Sequence, residues 1–140
     1  MMLITNPDKF EGMNEPYFEF MGSCTSLTNE NILDFFSSFS KAILKSNEAK
    51  EFPDLITLGF FCRRANIKRA LTKVQNLNYR LGWGTAVHIA PSNIPMNFAF
   101  SFFISLLSGN TNIVRLPSKE FPQVELFLNK FEELTNKKKF

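Results

Sequence analysis

Asn93, held between two prolines in Pro91-Ser92-Asn93-Ile94-Pro95, is the residue of this sequence best placed to do chemistry. The prolines restrict the backbone on both sides. A side-chain amide fixed where a strand gives way to a helix can donate a hydrogen bond to an oxyanion that develops in a transition state. Asparagine also caps helices and turns, which is its commoner use. The sequence leaves both interpretations open.

The other residue types that could do chemistry give weaker signals. His88 is the only histidine and falls inside a predicted strand, so we expect a packed, hydrogen-bonded side chain and not a catalytic one. Cys24 and Cys62 build no disulfide framework. No spacing typical of metal ligands occurs, so we predict no metal site.

A cluster of basic residues lies on one side of a predicted second helix. Its members are Arg63, Arg64, Lys68, Arg69 and Lys73. Such a cluster is most often a solvated helix face. The alternative is a site for an anionic partner such as a nucleotide or the phosphates of coenzyme A.

Composition excludes several classes of protein. The chain has 140 residues, 44% of them hydrophobic, and a net charge of +3, to which the terminal lysines 137–139 contribute. Acidic and basic residues are otherwise mixed, so we expect no nucleic-acid partner. The longest apolar run, 98–107, is about half the ~20 residues that cross a bilayer. Without a signal-peptide pattern, we expect a cytoplasmic protein with reduced thiols and no membrane partner.

The first part of the chain is predicted to be helical. Thr28 or Asn29 can cap an amphipathic helix of about four turns. A second helix opens at Pro53, a favoured first-turn residue, and continues after a break near Asn66. Before them, only 17–20 looks extended.

The second part is predicted to fold as β-α-β-α. The pattern indicates a strand over 85–90, a helix over 95–108 that Gly109 ends, a strand over 112–116 and a helix over 121–134. Gly82 and Gly84 precede the first strand instead of following it, so they do not form a dinucleotide-binding loop. We therefore predict an α/β fold with a helical segment, 1–80, and the start of a parallel-sheet domain, 81–140.

Two features of this second part indicate missing partners. The segment 98–107 is apolar on nearly all sides, so we expect it to be buried on every side. Two parallel strands alone do not make a stable sheet, and parallel strands need cover on both faces. We therefore interpret the sequence as the front part of a larger α/β protein.

The motifs also resemble a known family. Pro91-Ser92-Asn93-Ile94-Pro95 is similar to the Pro-x-Asn-x-Pro turn of the aldehyde dehydrogenase superfamily, and Leu107-Ser108-Gly109-Asn110-Thr111 with Val114-Arg115 is similar to its Ala-Gly-Asn-Thr-Val-Val-Leu-Lys-Pro-Ser segment. The closer likeness is to its acyl-CoA reductase branch, the LuxC type that makes fatty aldehyde for bacterial luminescence. Phe52-Pro53-Asp54-Leu55 and Arg80-x-Gly82-x-Gly84 also resemble that branch. The resemblance covers roughly 50–125.

The resemblance implies roles for three residues. Asn93 matches the oxyanion-hole asparagine of the family, whereas Arg115 and Ser118 match positions near the nucleotide. The implied domain is Rossmann-like, the substrate is an acyl-CoA and the cofactor is NADPH. The catalytic cysteine of the family lies far downstream, and neither Cys24 nor Cys62 matches it. The resemblance therefore implies an N-terminal fragment of a fatty acyl-CoA reductase, partnered by the missing C-terminal part or by further copies.

Two departures from the family pattern bear on these roles. Ser92 replaces a frequent tryptophan, and Leu116 places Pro117 one residue late, which weakens the match at Ser118 and Lys119. The alternative function is non-enzymatic: an α/β interaction module that binds a partner chain through its apolar helix.

Overall fold

The computed structural model describes residues 2–3, 17–20, 29–74 and 81–137. They fall into two compact units. A sheet unit comprises Met1–Leu27 with Leu81–Phe121, and a helical unit comprises Thr28–Arg80 with Pro122–Phe140. The elements in chain order are β1 (Met2–Leu3), β2 (Tyr17–Phe20), α1 (Glu30–Lys45), α2 (Pro53–Phe61), α3 (Arg64–Leu71), β3 (Thr85–Ile89), α4 (Asn97–Leu107), β4 (Thr111–Arg115) and α5 (Pro122–Lys137), with a 3₁₀-helix at Glu48–Glu51 between α1 and α2.

The predicted amphipathic helix is confirmed as α1. Asn29 is its N-cap, and Asn29 Oδ1 accepts a hydrogen bond from the Asn31 backbone N–H at 3.0 Å. Its buried face packs on α5: the Phe35 and Phe131 rings lie 5.0 Å apart and the Phe39 and Phe127 rings 5.5 Å apart, both edge to face. Aromatic pairs in this geometry are favourable beyond the apolar area that they bury.

The second helix begins at Pro53 as predicted, but the break lies earlier than expected. α2 ends at Phe61 and α3 begins at Arg64. Asn66 belongs to the first turn of α3, and its side chain donates a hydrogen bond to the Phe60 carbonyl at 2.7 Å. The Asn66 side chain therefore adds a donor to a carbonyl at the end of α2 that also accepts from the Arg63 N–H at 3.1 Å.

The sheet has four strands in the order β1-β2-β4-β3. β3 and β4 are parallel, with Thr85 opposite Thr111 and Ile89 opposite Arg115. The extended piece predicted at 17–20 is confirmed as β2, which pairs antiparallel with β4. The α/β class is confirmed, although the sheet is mixed because the N-terminal strands extend the parallel pair. The Rossmann-like form stays a prediction.

α4 connects the two parallel strands and is shorter than predicted. It begins at Asn97, because residues 92–96 form turns and bends. At its end, the Gly109 N–H donates to the Leu106 carbonyl and the Asn110 N–H to the Ser105 carbonyl, with Gly109 at φ +83°. This is the glycine-terminated helix end that the sequence predicts.

The all-round apolar segment is largely buried. Phe98, Ala99, Phe102, Phe103 and Leu106 are buried in α4, whereas Ile104 is 53% exposed. Binding of a partner chain through this helix, the alternative function, stays a prediction.

α5 packs on α1 within the helical unit, and 1–27 join the sheet unit. The compact units thus differ from the predicted division into 1–80 and 81–140 at both ends of the chain, and that division stays a prediction about domains. None of the helices in the described part of the chain is long and apolar enough to cross a membrane.

Candidate functional site

The carboxyl end of the parallel pair holds all three residues that the sequence predicts as a site. Asn93 follows β3 by four residues, Arg115 is the last residue of β4, and Ser118 lies in the loop after it. Because β3 and β4 are parallel neighbours, these segments leave the sheet at the same edge. In open α/β sheets, this edge is where ligands bind.

Asn93 lies in an exposed turn bracketed by its two prolines. The Ile94 N–H faces the Pro91 carbonyl at 3.5 Å, and the Asn97 N–H faces the Ile94 carbonyl at 3.4 Å. Among the described residues, no group bonds the Asn93 side-chain amide. The N-cap of α4 is Met96, without a side-chain capping bond. Asn93 is therefore not the capping residue that its type most often indicates.

Arg115 and Ser118 differ in their surroundings. Arg115 is half-buried at the end of β4, between Ile89 of β3 and Tyr17 of β2 in the register of the sheet. Ser118 is exposed. Beside it, the Lys119 Nζ lies 5.4 Å from the centre of the Phe121 ring. A guanidinium, a hydroxyl and an ammonium group at one sheet edge are donors that suit phosphate or ribose oxygens.

His88 is packed and hydrogen-bonded, as the sequence indicates. Its Nε2 lies 2.9 Å from Asn112 Oδ1, and its Nδ1 lies 3.0 Å from Ser101 Oγ. The Asn112 amide nitrogen donates to the Asn110 carbonyl, so its Oδ1 faces the ring and Nε2 must carry a proton. The three residues tie β3, β4 and α4 together. Sequence reasoning missed Ser101 and Asn112, because the strand register that brings Asn112 beside Ala86 is a tertiary feature.

The opposite, amino end of the parallel pair is closed by backbone contacts. A Cβ on Gly82 would lie 2.0 Å from the Gly109 carbonyl oxygen, so only glycine fits there. The Trp83 N–H donates to Asn110 Oδ1 at 2.6 Å, and the Thr111 N–H to the Gly84 carbonyl at 2.9 Å. The Gly82-x-Gly84 motif therefore serves packing: it lets the segment before β3 contact the turn before β4.

Cys62 is unsuited to nucleophilic catalysis. It is fully buried, and burial raises the pKa of its thiol, which keeps it protonated at neutral pH. Cys24 lies outside the described residues. Within the described ranges, no group of three or more His, Cys, Asp or Glu side chains could hold a metal ion.

The structure divides the basic cluster. Arg64 forms ion pairs with Glu30 and Asp34 of α1, and the Arg63 guanidinium lies 4.3 Å from the centre of the Phe60 ring. These two residues are engaged within the helical unit. Lys68, Arg69 and Lys73 are exposed. Lys68 and Arg69 thus belong to a solvated face of α3 of the kind that such clusters most often form, and Lys73 lies in the turn after the helix.

Comparison with known proteins identifies the family. Residues 62–139, more than half of the chain, match the family described as Acyl-CoA reductase (LuxC). The matched region includes β3, α4 and β4 with Asn93, Arg115 and Ser118. No curated protein and no solved structure matched. The chain belongs to the LuxC family of acyl-CoA reductases.

Proposed function

We propose that this chain forms the oxyanion-stabilising part of a fatty acyl-CoA reductase that makes aldehyde with NADPH. The observation that carries the proposal is the Asn93 amide, exposed and without a bond in the described residues, in a proline-bracketed turn at the carboxyl end of β3. A structural asparagine would be engaged in a cap or turn. An unbonded amide at a rigid strand end is instead available to a ligand.

Asn93 acts when a thioester is attacked. A cysteine thiolate adds to the acyl carbonyl carbon, and the carbonyl oxygen becomes an oxyanion. The Asn93 Nδ2–H donates a hydrogen bond to that oxygen, which lowers the barrier by about 3 kcal/mol in comparable sites. Collapse of the intermediate then breaks the carbon–sulfur bond to coenzyme A and leaves the acyl group on the cysteine.

The attacking cysteine must come from polypeptide outside these 140 residues. Cys62 is buried and protonated, and neither it nor Cys24 matches the motif of the family nucleophile. We therefore interpret the chain as the N-terminal part of a cytoplasmic enzyme of the aldehyde dehydrogenase superfamily.

The last residue of β4 and the loop that follows it fit a nucleotide by the chemistry of their donors. Arg115 would hold a phosphate or ribose oxygen, and the Ser118 hydroxyl would donate to a second oxygen. NADPH, when bound, supplies the hydride that reduces the acyl group to aldehyde.

The experiment compares the purified chain with the chain joined to the downstream portion of a LuxC-family reductase. The joined protein is expected to form aldehyde from acyl-CoA and NADPH, whereas the chain alone is expected to form none. Cys62→Ala should leave the activity of the joined protein unchanged. Aldehyde formation by the chain alone, abolished by Cys62→Ala or Cys24→Ala, would contradict the proposal.

A further inference from the structure

A side-chain hydrogen bond closes the loop that contains the Asn93 turn, residues 91–96. His88 lies near the end of β3, Ser101 lies in the second turn of α4, and the Asn93 turn connects these two elements. His88 Nδ1 and Ser101 Oγ are 3.0 Å apart, within hydrogen-bond distance. Residues 89–100 therefore form a loop whose two ends are joined by a bond between side chains.

The backbone hydrogen bonds of the Asn93 turn are long. The Ile94 N–H lies 3.5 Å from the Pro91 carbonyl, and the Asn97 N–H lies 3.4 Å from the Ile94 carbonyl. Both distances exceed about 3.2 Å, the usual upper limit of such bonds. Pro91 and Pro95 fix two φ angles of the turn, but they do not attach it to the rest of the sheet unit. The position of the turn therefore depends on how β3 and α4 are held together.

The imidazole ring of His88 is oriented by contacts with two further residues. Its Nε2 lies 2.9 Å from Asn112 Oδ1 of β4, and its ring meets the Phe102 ring of α4 edge to face at 6.5 Å. Because the ring cannot turn without breaking the Asn112 bond, its Nδ1 stays directed at α4. His88 thus offers Ser101 a partner in a fixed position.

The Ser101 hydroxyl can keep this bond in either charge state of the ring. Ser101 Oγ also lies 3.0 Å from the Phe98 carbonyl oxygen. When the ring is neutral and carries its proton on Nε2, the hydroxyl donates to Nδ1. When the ring is protonated, the Nδ1–H donates to Oγ and the hydroxyl proton turns to the Phe98 carbonyl. The bond between β3 and α4 therefore persists when the ring gains or loses a proton.

We propose that Ser101, through its bond to His88, is a positioning residue for the Asn93 amide. This inference rests on the proposed function. A loop joined at its base samples fewer conformations than an open one, so the amide stays where the oxyanion forms. An oxyanion donor acts only within hydrogen-bond distance, and a displacement of about 1 Å can slow an enzymatic step about 100-fold. The bond of His88 to α4 thus serves the rate of acylation, whereas its bond to Asn112 serves stability.

Ser101→Ala in the joined enzyme tests the proposal. Acylation per folded molecule should slow about 10-fold with the apparent Kd for acyl-CoA nearly unchanged, because the lost bond changes how often Asn93 is in place and not how acyl-CoA binds. Single-turnover acylation over a range of acyl-CoA concentrations gives both quantities. Ser101→Thr keeps the hydroxyl at an exposed position and should retain the original rate. A rate for Ser101→Thr as low as that of Ser101→Ala would overturn the proposal.

Ser108→Ala is the matched control. Ser108 lies at the other end of α4, where its Oγ donates to the Ile104 carbonyl at 2.9 Å. Its substitution removes a serine hydroxyl that bonds a helix carbonyl, as Ser101 does, but leaves the bond to His88 in place. Acylation should therefore stay unchanged, and slowing equal to that of Ser101→Ala would overturn the proposal.

Two substitutions of His88 separate its two bonds. An asparagine side chain places a polar atom near the position of Nδ1, and a glutamine side chain places one near that of Nε2. His88→Asn can keep the bond to Ser101 and should acylate at nearly the original rate per folded molecule. His88→Gln can keep only the bond to Asn112 and should slow acylation about as much as Ser101→Ala. Equal rates for the two variants, or the reverse order, would overturn the proposal.

The double variant Asn93→Ala/Ser101→Ala shows whether Ser101 acts through Asn93. If it does, Ser101→Ala should slow the Asn93→Ala enzyme no further, because the two effects are not independent. A further slowing of about 10-fold would overturn the positioning role alone. Slow acylation by Asn93→Ala with normal acylation by Ser101→Ala would also overturn that role and leave the proposed function intact.

The purified chain provides a measurement that needs no activity. Backbone ¹⁵N order parameters at residues 92–94 should lie near the value of about 0.85 for rigid backbone and fall toward about 0.6 in Ser101→Ala. Unchanged order parameters would overturn the proposal, because the bond would then not hold the turn. Lowered order parameters, together with a joined enzyme whose acylation is insensitive to Asn93→Ala, would support the hold on the turn and contradict the proposed function.

Discussion

The two ends of the β3–α4–β4 unit are built in opposite ways. At the amino end, Gly82 contacts Gly109, and Asn110 bonds the backbone of Trp83. At the carboxyl end, Asn93 lies in an exposed turn and bonds no side chain or backbone group of the described residues. The amino end contains contacts that only particular residues allow. The carboxyl end contains one side-chain amide, that of Asn93, which forms no hydrogen bond with the described residues.

The difference separates stability from chemistry. A residue whose donors and acceptors are satisfied within the fold contributes to folding, whereas an unsatisfied polar group on a fixed loop is available to a ligand. Both ends carry motifs that resemble those of the family, yet the structure gives them different tasks. Substitutions at the amino end should therefore change stability, and substitutions at the carboxyl end should change rates.

Asn93→Ala in the joined enzyme should have the largest effect. We expect acylation to slow about 100-fold or more with acyl-CoA binding nearly unchanged, because the amide acts on charge that develops only in the transition state. Single-turnover acylation and a thermal melt measure the two quantities. A lowered melting temperature with a normal acylation rate would show that Asn93 serves stability and not catalysis. The two ends of the unit would then not differ in their roles.

Gly82→Ala should destabilise the protein by about 2–3 kcal/mol, because the new methyl group collides with the Gly109 carbonyl and the backbone must move. Ser92→Ala, at an exposed position of the carboxyl end, is the control and should change stability by less than about 0.5 kcal/mol. Urea unfolding measures both. Equal stabilities for the two variants would show that the amino end is not the more constrained one.

Asn112→Ala should cost about 2 kcal/mol, because it leaves the His88 Nε2–H and the Asn110 carbonyl without their partner. Without the Asn112 acceptor, the proton of the neutral His88 ring should no longer be confined to Nε2. ¹⁵N NMR of the ring reports directly which nitrogen carries the proton. Ser101→Ala keeps the Asn112 bond and should preserve the Nε2–H tautomer. An unchanged tautomer in Asn112→Ala would mean that the Asn112 bond does not fix the ring.

Substitution of Cys62 should have the smallest effect on stability, and that effect should depend on pH. Burial raises the pKa of its thiol above the value of about 8.5 in an unfolded chain. Its stabilising contribution is therefore complete below about pH 8.5 and declines above it, by about 1.4 kcal/mol per pH unit. Cys62→Ala should lower stability at neutral pH but flatten the decline between pH 8.5 and 10. If the free energy of unfolding fell equally with pH in the unsubstituted protein and in Cys62→Ala, the Cys62 thiol would not be buried in its un-ionised form.

Local sequence signals predicted most elements and the place of the candidate site. Asn29 as a cap, Pro53 as a helix start and Gly109 as a helix end act within a few residues, so the sequence reveals them. The break before α3 was misplaced, because Asn66 hydrogen-bonds the Phe60 carbonyl, a contact formed only once both helices exist. The packing role of Gly82-x-Gly84 could not be predicted either, because Gly109, which Gly82 contacts, lies 27 residues away in the sequence.

What the sequence determined by itself was the order of the elements and the residue types at each strand end. Backbone propensities, prolines and glycines act locally, and they placed Arg115 at the end of one strand and Asn93 and Ser118 in the loops after two strands. The tertiary structure decided which polar groups form hydrogen bonds within the fold. It engaged Asn110 and Asn112, left Asn93 without a bond to the described residues and buried Cys62. Hydrogen-bond satisfaction and burial depend on contacts between distant segments, and no local pattern encodes them.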